Sequence, residues 1–261
     1  MKTFNYHSAK DVKEASKLAS SNSAFLAGGM TTIPSMKLGL ASYKDIIDIK
    51  RIKKLSGIKV SGKKVTIGAT TKHSEVASSK DVKKAIPSLA ALAEGIGDPQ
   101  VRNRGTVGGS IANNDPSACY PSACMALNAI IHTNDRKIEA SKFFKGMFET
   151  ALKKGELIEA VEFQIPEKSN YQKHPNPASR YAIVGVYLAK HKKEVNVAVT
   201  GAKSSVYIDK DLSKKLSSSF SSSAIDGMEL DSSDMNSDIH ASGEFRASLV
   251  LTYAKKAVEA C

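Results

Sequence analysis

The feature that most constrains this chain is a pair of glycine doublets, each placed where the polypeptide must turn tightly. The first lies in residues 26–31 (LAGGMT), directly after a short apolar run, and the second in residues 104–110 (RGTVGGS) about eighty residues later. Glycine tolerates positive φ angles and leaves no Cβ between the backbone and a ligand. Consecutive N–H groups in such turns form a concave anion site that suits a pyrophosphate, and Thr31, Thr106 and Ser110 can add hydroxyl donors.

Neither doublet matches the usual nucleotide-binding fingerprints. The chain has no G-x-G-x-x-G and no G-x-x-x-x-G-K-[ST], the two patterns in which glycine-rich loops most often hold phosphates. The doublets alone therefore leave a purely structural role open beside a nucleotide-binding one.

Composition is that of an ordinary globular protein with a strongly basic surface. The chain has 261 residues, 41% of them hydrophobic, and a formal net charge of +12, enough for one large domain or two modest ones. Aromatic residues are only 6% and Trp is absent, which disfavours the stacking surfaces of nucleic-acid-binding proteins. Lysine outnumbers arginine and forms no continuous stripe, so the charge indicates a solvated surface, an acidic partner subunit or an anionic cofactor.

The three cysteines and the N-terminus favour a reduced, cytoplasmic chain. Cys119 and Cys124 lie five residues apart without the flanking ligands of a metal site, so we expect no bound metal. The first residues contain no apolar segment of the kind that opens an export signal, and no run approaches 18 apolar residues. We therefore expect no membrane span.

Apolar periodicity in the first two thirds of the chain predicts mixed helices and strands. Residues 97–121 hold four glycines and three prolines, which predicts an irregular loop, and its apolar content favours a functional one. Other predicted elements are helices over residues 9–21, 32–40, 74–79, 88–95 and 118–127, strands over residues 24–27 and 45–49, and a hairpin over residues 58–68.

Beyond Pro166 the composition changes. Residues 169–179 are polar and contain proline, which predicts a connector and the best domain boundary. An antiparallel meander follows, and its predicted strands span residues 181–188, 194–200 and 203–208, before helices over residues 210–223 and 244–260.

Short sequence motifs indicate more about this chain than its apolar periodicity does. The chain resembles the FAD-binding (medium) subunit of the molybdenum hydroxylases, the family of the carbon monoxide dehydrogenase medium subunit and the matching domain of xanthine dehydrogenase. The resemblance is carried, in family order and over nearly the whole chain, by residues 27–29 (AGG), 34–37 (PSMK), 67–69 (IGA), 97–110 (GDPQVRNRGTVGGS), 155–158 (GELI), 178–186 (ASRYAIVGV) and 244–249 (EFRASL).

The resemblance implies an α+β fold of two domains. Residues 1–168 would form an FAD-binding domain of the vanillyl-alcohol-oxidase (PCMH) type, with subdomains over about residues 1–55 and 56–168. Residues 169–261 would form a smaller domain of the CO dehydrogenase flavoprotein C-terminal type, a three-stranded antiparallel sheet with helices. The boundary expected from composition agrees with this division.

Residue by residue, the resemblance implies that FAD is held by two loops and a few further positions. Residues 27–31 would form the first pyrophosphate loop and residues 106–110 the second, and Asn113 and Asp115 would contact the ADP half. The complete implied set is Leu26, Ala27, Gly28, Gly29, Met30, Thr31, Thr32, Thr106, Val107, Gly108, Gly109, Ser110, Asn113, Asp115, Cys119, Ile158, Lys173 and Tyr181.

Three of these positions would lie at the isoalloxazine. Ile158 matches a position whose backbone lies near the ring. Lys173 falls where the family often has a flavin-side lysine, which would stabilise the anionic reduced flavin, although a solvated connector lysine is an equal reading. Tyr181 falls where an aromatic side chain can approach the ring, or can simply be a half-buried strand residue.

Two positions depart from the family pattern. Met30 stands where a small polar residue is common, so only its backbone N–H can contribute. Cys119 stands where an aspartate often contacts the adenosine ribose, which implies weaker FAD binding or compensation by Asp115. The chain also lacks the cysteine-rich insertion that holds a 4Fe-4S cluster in some relatives, so no cluster is expected.

The implied function is electron transfer. In this family a molybdenum-cofactor large subunit oxidises the substrate and an iron–sulfur small subunit passes electrons through 2Fe-2S clusters to FAD, which reduces an external acceptor, in a dimer of heterotrimers. No catalytic acid, base or nucleophile is then expected here, and the six histidines are scattered. Two alternatives stay open, a scaffolding subunit that has lost FAD and a stand-alone flavin oxidoreductase.

Overall fold

Three larger sheets and one two-stranded sheet make up the β-structure of the computed structural model, which describes residues 1–261. The N-terminal sheet is parallel and has the strand order β1-β3-β2. Ile46 and Ile47 point to opposite faces of its central strand and enter two small hydrophobic clusters. The Asp11 carboxylate accepts from the N–H of Glu14 and starts the first helix. The elements are β1 (Asn5–Ser8), α1 (Val12–Leu18), β2 (Ser23–Leu26), α2 (Thr32–Lys37) and β3 (Asp45–Asp48).

The central sheet is antiparallel and carries the largest core. Its strands are β4 (Ile58–Ser61), β5 (Lys64–Gly68), β6 (Ile130–Thr133), β7 (Lys137–Glu139) and β10 (Ile158–Gln164), in the order β4-β5-β10-β6-β7. Val65, Ile67, Val161 and Phe163 are fully buried and form one face of a 29-residue cluster. The helices of this region are α3 (His73–Ser78), α4 (Lys80–Ala85), α5 (Pro87–Glu94), α6 (Pro99–Arg102), α7 (Val107–Asn113) and α8 (Tyr120–Ala126).

A small hairpin is attached to the end of α7. It follows α9 (Ala140–Phe143) and consists of β8 (Phe144–Gly146) and β9 (Glu149–Thr150). Asn114, at φ +44°, donates its side-chain N–H groups to the carbonyls of Gly146 and Glu149. Asparagine tolerates this left-handed conformation better than most residues, so Asn114 both ends α7 and fixes the hairpin.

The C-terminal sheet is antiparallel and buried on both faces. Tyr187, Ala189 and Ala198 join the core of the central sheet, whereas Val186 and Val197 join a 17-residue cluster on the other side. Its elements are β11 (Lys168–Pro175), β12 (Ala182–His191), β13 (Glu194–Thr200) and β14 (Tyr207–Ile208), covered by α10 (Lys210–Ser218) and α11 (Gly243–Glu259).

The polar segment predicted to be a connector is instead the edge strand β11, paired with β12 along its whole length. The sheet therefore has four strands where the sequence analysis expected three. Edge strands are often polar because their outer backbone faces solvent, so composition alone suggested a loop.

The segment 97–121 is also more regular than predicted, because its breakers lie at helix ends. Pro99 occupies the first turn of α6, where its missing N–H costs nothing. The side chains of Asp98 and Thr106 cap α6 and α7.

The other predicted elements are confirmed with shifted ends, except that the helix predicted over 210–223 ends at Ser218 and the strand predicted over 203–208 is confined to Tyr207–Ile208. Several elements give no clear signal in the sequence because they are short or mixed in polarity: β1, β6, β7, β8, β9, β10, α4 and α9. None of the helices combines the length and hydropathy that crossing a bilayer requires.

Candidate functional site

The two glycine doublets meet at one cavity, although about eighty residues separate them in the sequence. The cavity has a volume of about 430 Å³ and lies where the N-terminal sheet, the central sheet and residues 179–181 come together. Ligand pockets in proteins usually measure about 300–1,000 Å³. The cavity is therefore the first candidate for a binding site.

The first glycine loop, residues 27–31, leads from β2 into α2 and lines the cavity. Gly29 has φ +75°, a conformation that glycine adopts without strain. None of the N–H groups of residues 28–31 donates a hydrogen bond within the chain; Gly28 is buried, whereas Met30 and Thr31 are exposed. The loop thus offers consecutive unpaired donors, as binding an oxyanion requires.

The second glycine loop, residues 106–110, begins α7 and uses its N–H groups differently. The four N–H groups of residues 107–110 all donate within the chain, to oxygen atoms of Ala69, Thr71 and Thr106. The N–H groups of Val107 and Gly108 hold α7 against the residues that follow β5, and those of Gly109 and Ser110 donate to Thr106, so this loop presents no unpaired backbone donors of the kind found in the first loop. This loop offers a ligand the hydroxyl groups of Thr106 and Ser110 and the open space at Gly109.

Close packing explains two of the glycines. A Cβ on Gly28 would overlap the carbonyl oxygen of Arg104, and one on Gly108 would lie 2.5 Å from the Cβ of Ala69. Gly109 is different: its Cβ would meet only the Thr106 hydroxyl, at 2.8 Å, with the Cβ of Ala27 4.0 Å away. Gly109 is thus the glycine whose missing side chain keeps the gap between the loops open.

Most of the residues implied by the resemblance are brought together by the fold. Fifteen of the eighteen line the cavity: Ala27, Gly28, Gly29, Met30, Thr31, Thr32, Thr106, Gly108, Gly109, Ser110, Asn113, Asp115, Cys119, Ile158 and Tyr181.

The remaining three do not line the cavity. Leu26 packs in the small core of the N-terminal sheet beside Met36 and Ile46. Val107 is fully buried in the central core. Both precede a glycine doublet in sequence, and their side chains are buried in hydrophobic clusters.

Lys173, the third, lies on β11 beside the cavity wall and is not a connector lysine. Its ammonium donates to the carbonyls of Gly95, at 2.7 Å, and Arg180, at 3.0 Å, and lies 3.7 Å from the sulfur of Cys119. The lysine thereby holds the segment that carries Arg180, which has φ +61°, and Tyr181 against the body of the protein.

Burial is the largest influence on the pKa values of two cavity-lining residues, Asp115 and Tyr181. Burial raises the pKa of the Asp115 carboxyl, although the N–H of Ser117 opposes the shift. Burial, the Asp115 charge and Cys119 together raise the pKa of the Tyr181 phenol. The phenol therefore stays protonated and can donate a hydrogen bond.

Fifteen further lining residues were not assigned from the sequence. Several belong to motifs that carried the resemblance, so those motifs could have identified them. They are Phe25, Ile49, Ala69, His73, Ile96, Gly97, Val101, Gly105, Ala112, Ala118, Leu152, Glu156, Leu157, Ser179 and Arg180.

Known proteins are similar to this chain in sequence and in fold. The family described as FAD binding domain in molybdopterin dehydrogenase matches residues 2–167. The glyceraldehyde dehydrogenase medium chain of Sulfolobus acidocaldarius is 39% identical over 194 residues, which cover 71% of this chain and 69% of that protein. The nicotine 6-hydroxylase medium subunit of Paenarthrobacter nicotinovorans is 29% identical and aligns over 97% of this chain and 95% of its own length.

Solved structures agree over the whole length. A chain of the reconstituted CO dehydrogenase from Oligotropha carboxidovorans superposes with a TM-score of 0.90 at 26% identity, and covers 99% of this chain and 97% of its own. The α+β fold inferred from the resemblance is confirmed by this agreement. The chain therefore belongs to the FAD-binding medium subunits of the molybdenum hydroxylases, and is an oxidoreductase subunit whose cofactor is FAD.

Proposed function

We propose that this chain is the electron-transfer subunit of a heteromeric molybdenum hydroxylase, which takes electrons from 2Fe-2S clusters of a partner subunit and passes them to an external acceptor. One observation carries the proposal: two glycine loops distant in sequence converge on one cavity, and one of them presents four unpaired N–H groups.

The residues present fit a dinucleotide. The N–H groups of residues 28–31 suit the two phosphates, and the hydroxyls of Thr106 and Ser110 can donate from the opposite side. Phe25, Ile49 and Ile158 line the cavity with apolar surface, which suits a flat aromatic ring and excludes water. We propose that these groups hold FAD.

The two ends of the dinucleotide can be assigned within the same proposal. Asn113 and Asp115 line the cavity beyond the second loop and would bind the ADP half. Ile158 and Tyr181 would lie at the isoalloxazine. The bound flavin supplies the one- and two-electron chemistry, and the protein positions it and sets its surroundings.

Lys173 and Cys119 give the proposal a specific form in this chain. Cys119 is nearly fully buried and lines the cavity, so it offers a weak donor where the family often has a carboxylate. The ammonium of Lys173 already binds two backbone carbonyls. We therefore assign Lys173 to positioning the 179–181 segment beside the flavin, and Asp115 to the ribose.

The partners follow from the names of the relatives, several of which are medium chains of larger enzymes. We propose an iron–sulfur small subunit and a molybdenum-cofactor large subunit, assembled as a dimer of heterotrimers in the cytoplasm. We also propose the domain division between residues 168 and 169, within one residue of Lys168, where β11 begins the C-terminal sheet.

FAD titration tests the proposal, with the chain both alone and co-purified with its partner subunits. We expect bound FAD in the complex and its reduction by substrate through the partner. A complex that oxidises substrate without ever binding FAD would support a scaffolding role instead. A chain that reduces FAD with a substrate of its own, without partners, would support a stand-alone oxidoreductase.

A further inference from the structure

One buried polar group at the cavity has no partner in the protein. His73 is the first residue of α3, is only 4% exposed and lines the cavity. Eight buried side-chain nitrogen or oxygen atoms lack a hydrogen bond in the whole chain, and Nδ1 of His73 is the only one that belongs to a cavity-lining residue. Nε2 of the same ring also makes no hydrogen bond within the chain, but it is not among these fully buried atoms, so it is the ring nitrogen that a ligand can reach.

The surroundings of His73 decide its protonation state. Burial, and to a lesser degree the charge of Arg102, lowers the pKa of the imidazole to about 4. The ring is therefore neutral near pH 7 and carries one N–H. Nδ1 is sealed from solvent and has no acceptor within reach, and an orphaned donor is rarer in proteins than an orphaned acceptor. The proton accordingly resides on Nε2.

The Nε2 edge of the ring lies against the cavity wall. A Cβ on Gly105 would lie 2.6 Å from Nε2, and Gly105 itself lines the cavity. The backbone N–H of His73 donates to the carbonyl of Gly105 at 3.0 Å, and the ring packs on Tyr120 with centroids 5.4 Å apart. The imidazole is thus held in place by packing and backbone, while Nε2 makes no hydrogen bond within the chain.

We propose that His73 is an FAD ligand that donates its Nε2–H to an oxygen or nitrogen of the cofactor. This inference rests on the placement of FAD in the cavity proposed above. It also explains why Gly105 must be glycine: any side chain there would displace the imidazole.

Two substitutions separate this role from a structural one. His73→Leu removes the donor without adding bulk, and His73→Gln restores an N–H at a position similar to Nε2. We expect His73→Leu to raise the Kd for FAD about tenfold, the loss of one hydrogen bond of average to good strength. The melting temperature of its apoprotein should stay equal or rise, because an unpaired polar group becomes apolar. His73→Gln should recover most of the affinity.

The measurements are FAD titration by flavin fluorescence, apoprotein melting, and nitrogen NMR of histidine-labelled full-length chain, with or without partners, whichever binds FAD. We expect one neutral imidazole protonated at Nε2, whose Nε2 resonance shifts on FAD addition. An unchanged Kd in His73→Leu overturns the inference. So does a loss of FAD affinity that comes with a lower apoprotein melting temperature and no recovery in His73→Gln. If the wild-type protein binds no FAD in any form, the proposed function fails together with the inference.

Discussion

Replacing each of two adjacent glycines in the second loop by alanine should change a different property, the stability of the protein at Gly108 and its FAD affinity at Gly109. A Cβ on Gly108 would lie 2.5 Å from the Cβ and 2.8 Å from the carbonyl oxygen of Ala69. Overpacking of this kind costs about 1–3 kcal/mol, and removing a glycine from a helix returns up to about 1 kcal/mol. With the full offset Gly108→Ala should therefore still lose up to about 2 kcal/mol of stability, which lowers the melting temperature of a chain this size by up to about 8 °C.

Gly109→Ala should leave stability nearly unchanged and weaken FAD binding. Its Cβ disturbs only the Thr106 hydroxyl that caps α7, a cap worth about 1 kcal/mol, and the helix propensity of alanine offsets that loss. The new methyl group narrows the gap to Ala27 between the two loops. Loss of a charge-assisted contact to phosphate is worth about 1.5–3 kcal/mol, so the Kd should rise about tenfold or more.

The assay measures melting of the apoprotein and FAD affinity for wild type and both variants, prepared side by side. Wild-type FAD affinity in Gly109→Ala would refute the placement of phosphate between the loops. Normal melting of Gly108→Ala together with lost FAD would refute the assignment of Gly108 to packing on Ala69.

Three further variants test individual side-chain contacts. Lys173→Met should lower the free energy of unfolding by about 1–2 kcal/mol, since two backbone carbonyls lose a charged donor. It should also speed proteolysis near residue 180, and an unchanged cleavage rate would contradict the role of Lys173 in holding residues 179–181. Arg246→Leu should cost about 2–4 kcal/mol in chemical denaturation, because its buried guanidinium binds two carbonyls and Asp238; a wild-type midpoint would refute this. Burial alone would raise the pKa of Glu156, but hydrogen bonds, from Arg136 above all, lower it. This stabilisation is present above the unfolded-state pKa of about 4.5 and is lost as pH falls through the lower folded-state pKa. The melting temperature of Glu156→Gln should therefore depend less on pH in this acidic range than that of the wild type. The same dependence of melting temperature on pH in both proteins would contradict this.

Much of the candidate site could be predicted because many of its residues are contiguous in the sequence. Residues 26–32 and 106–110 were recognisable from literal sequence, and all but Leu26 and Val107 among them line the cavity. The side chains of Leu26 and Val107 do not line it because they are buried in hydrophobic clusters, and proximity to a glycine turn in sequence does not determine the direction of a side chain. His73 was missed since a single histidine gives no local signal of its orientation.

The glycine doublets, the apolar periodicity and the family motifs thus determined from sequence alone that this is an α+β flavoprotein subunit with loops suited to a dinucleotide. Only the tertiary structure determined which of the two doublets has N–H groups free to bind an anion. The N–H groups of residues 28–31 are unpaired, whereas those of residues 107–110 are taken by Ala69, Thr71 and Thr106. The physical reason is that a glycine turn becomes an anion site only if no nearby backbone carbonyl accepts its N–H groups, and which carbonyls are near depends on how α7 packs on β5.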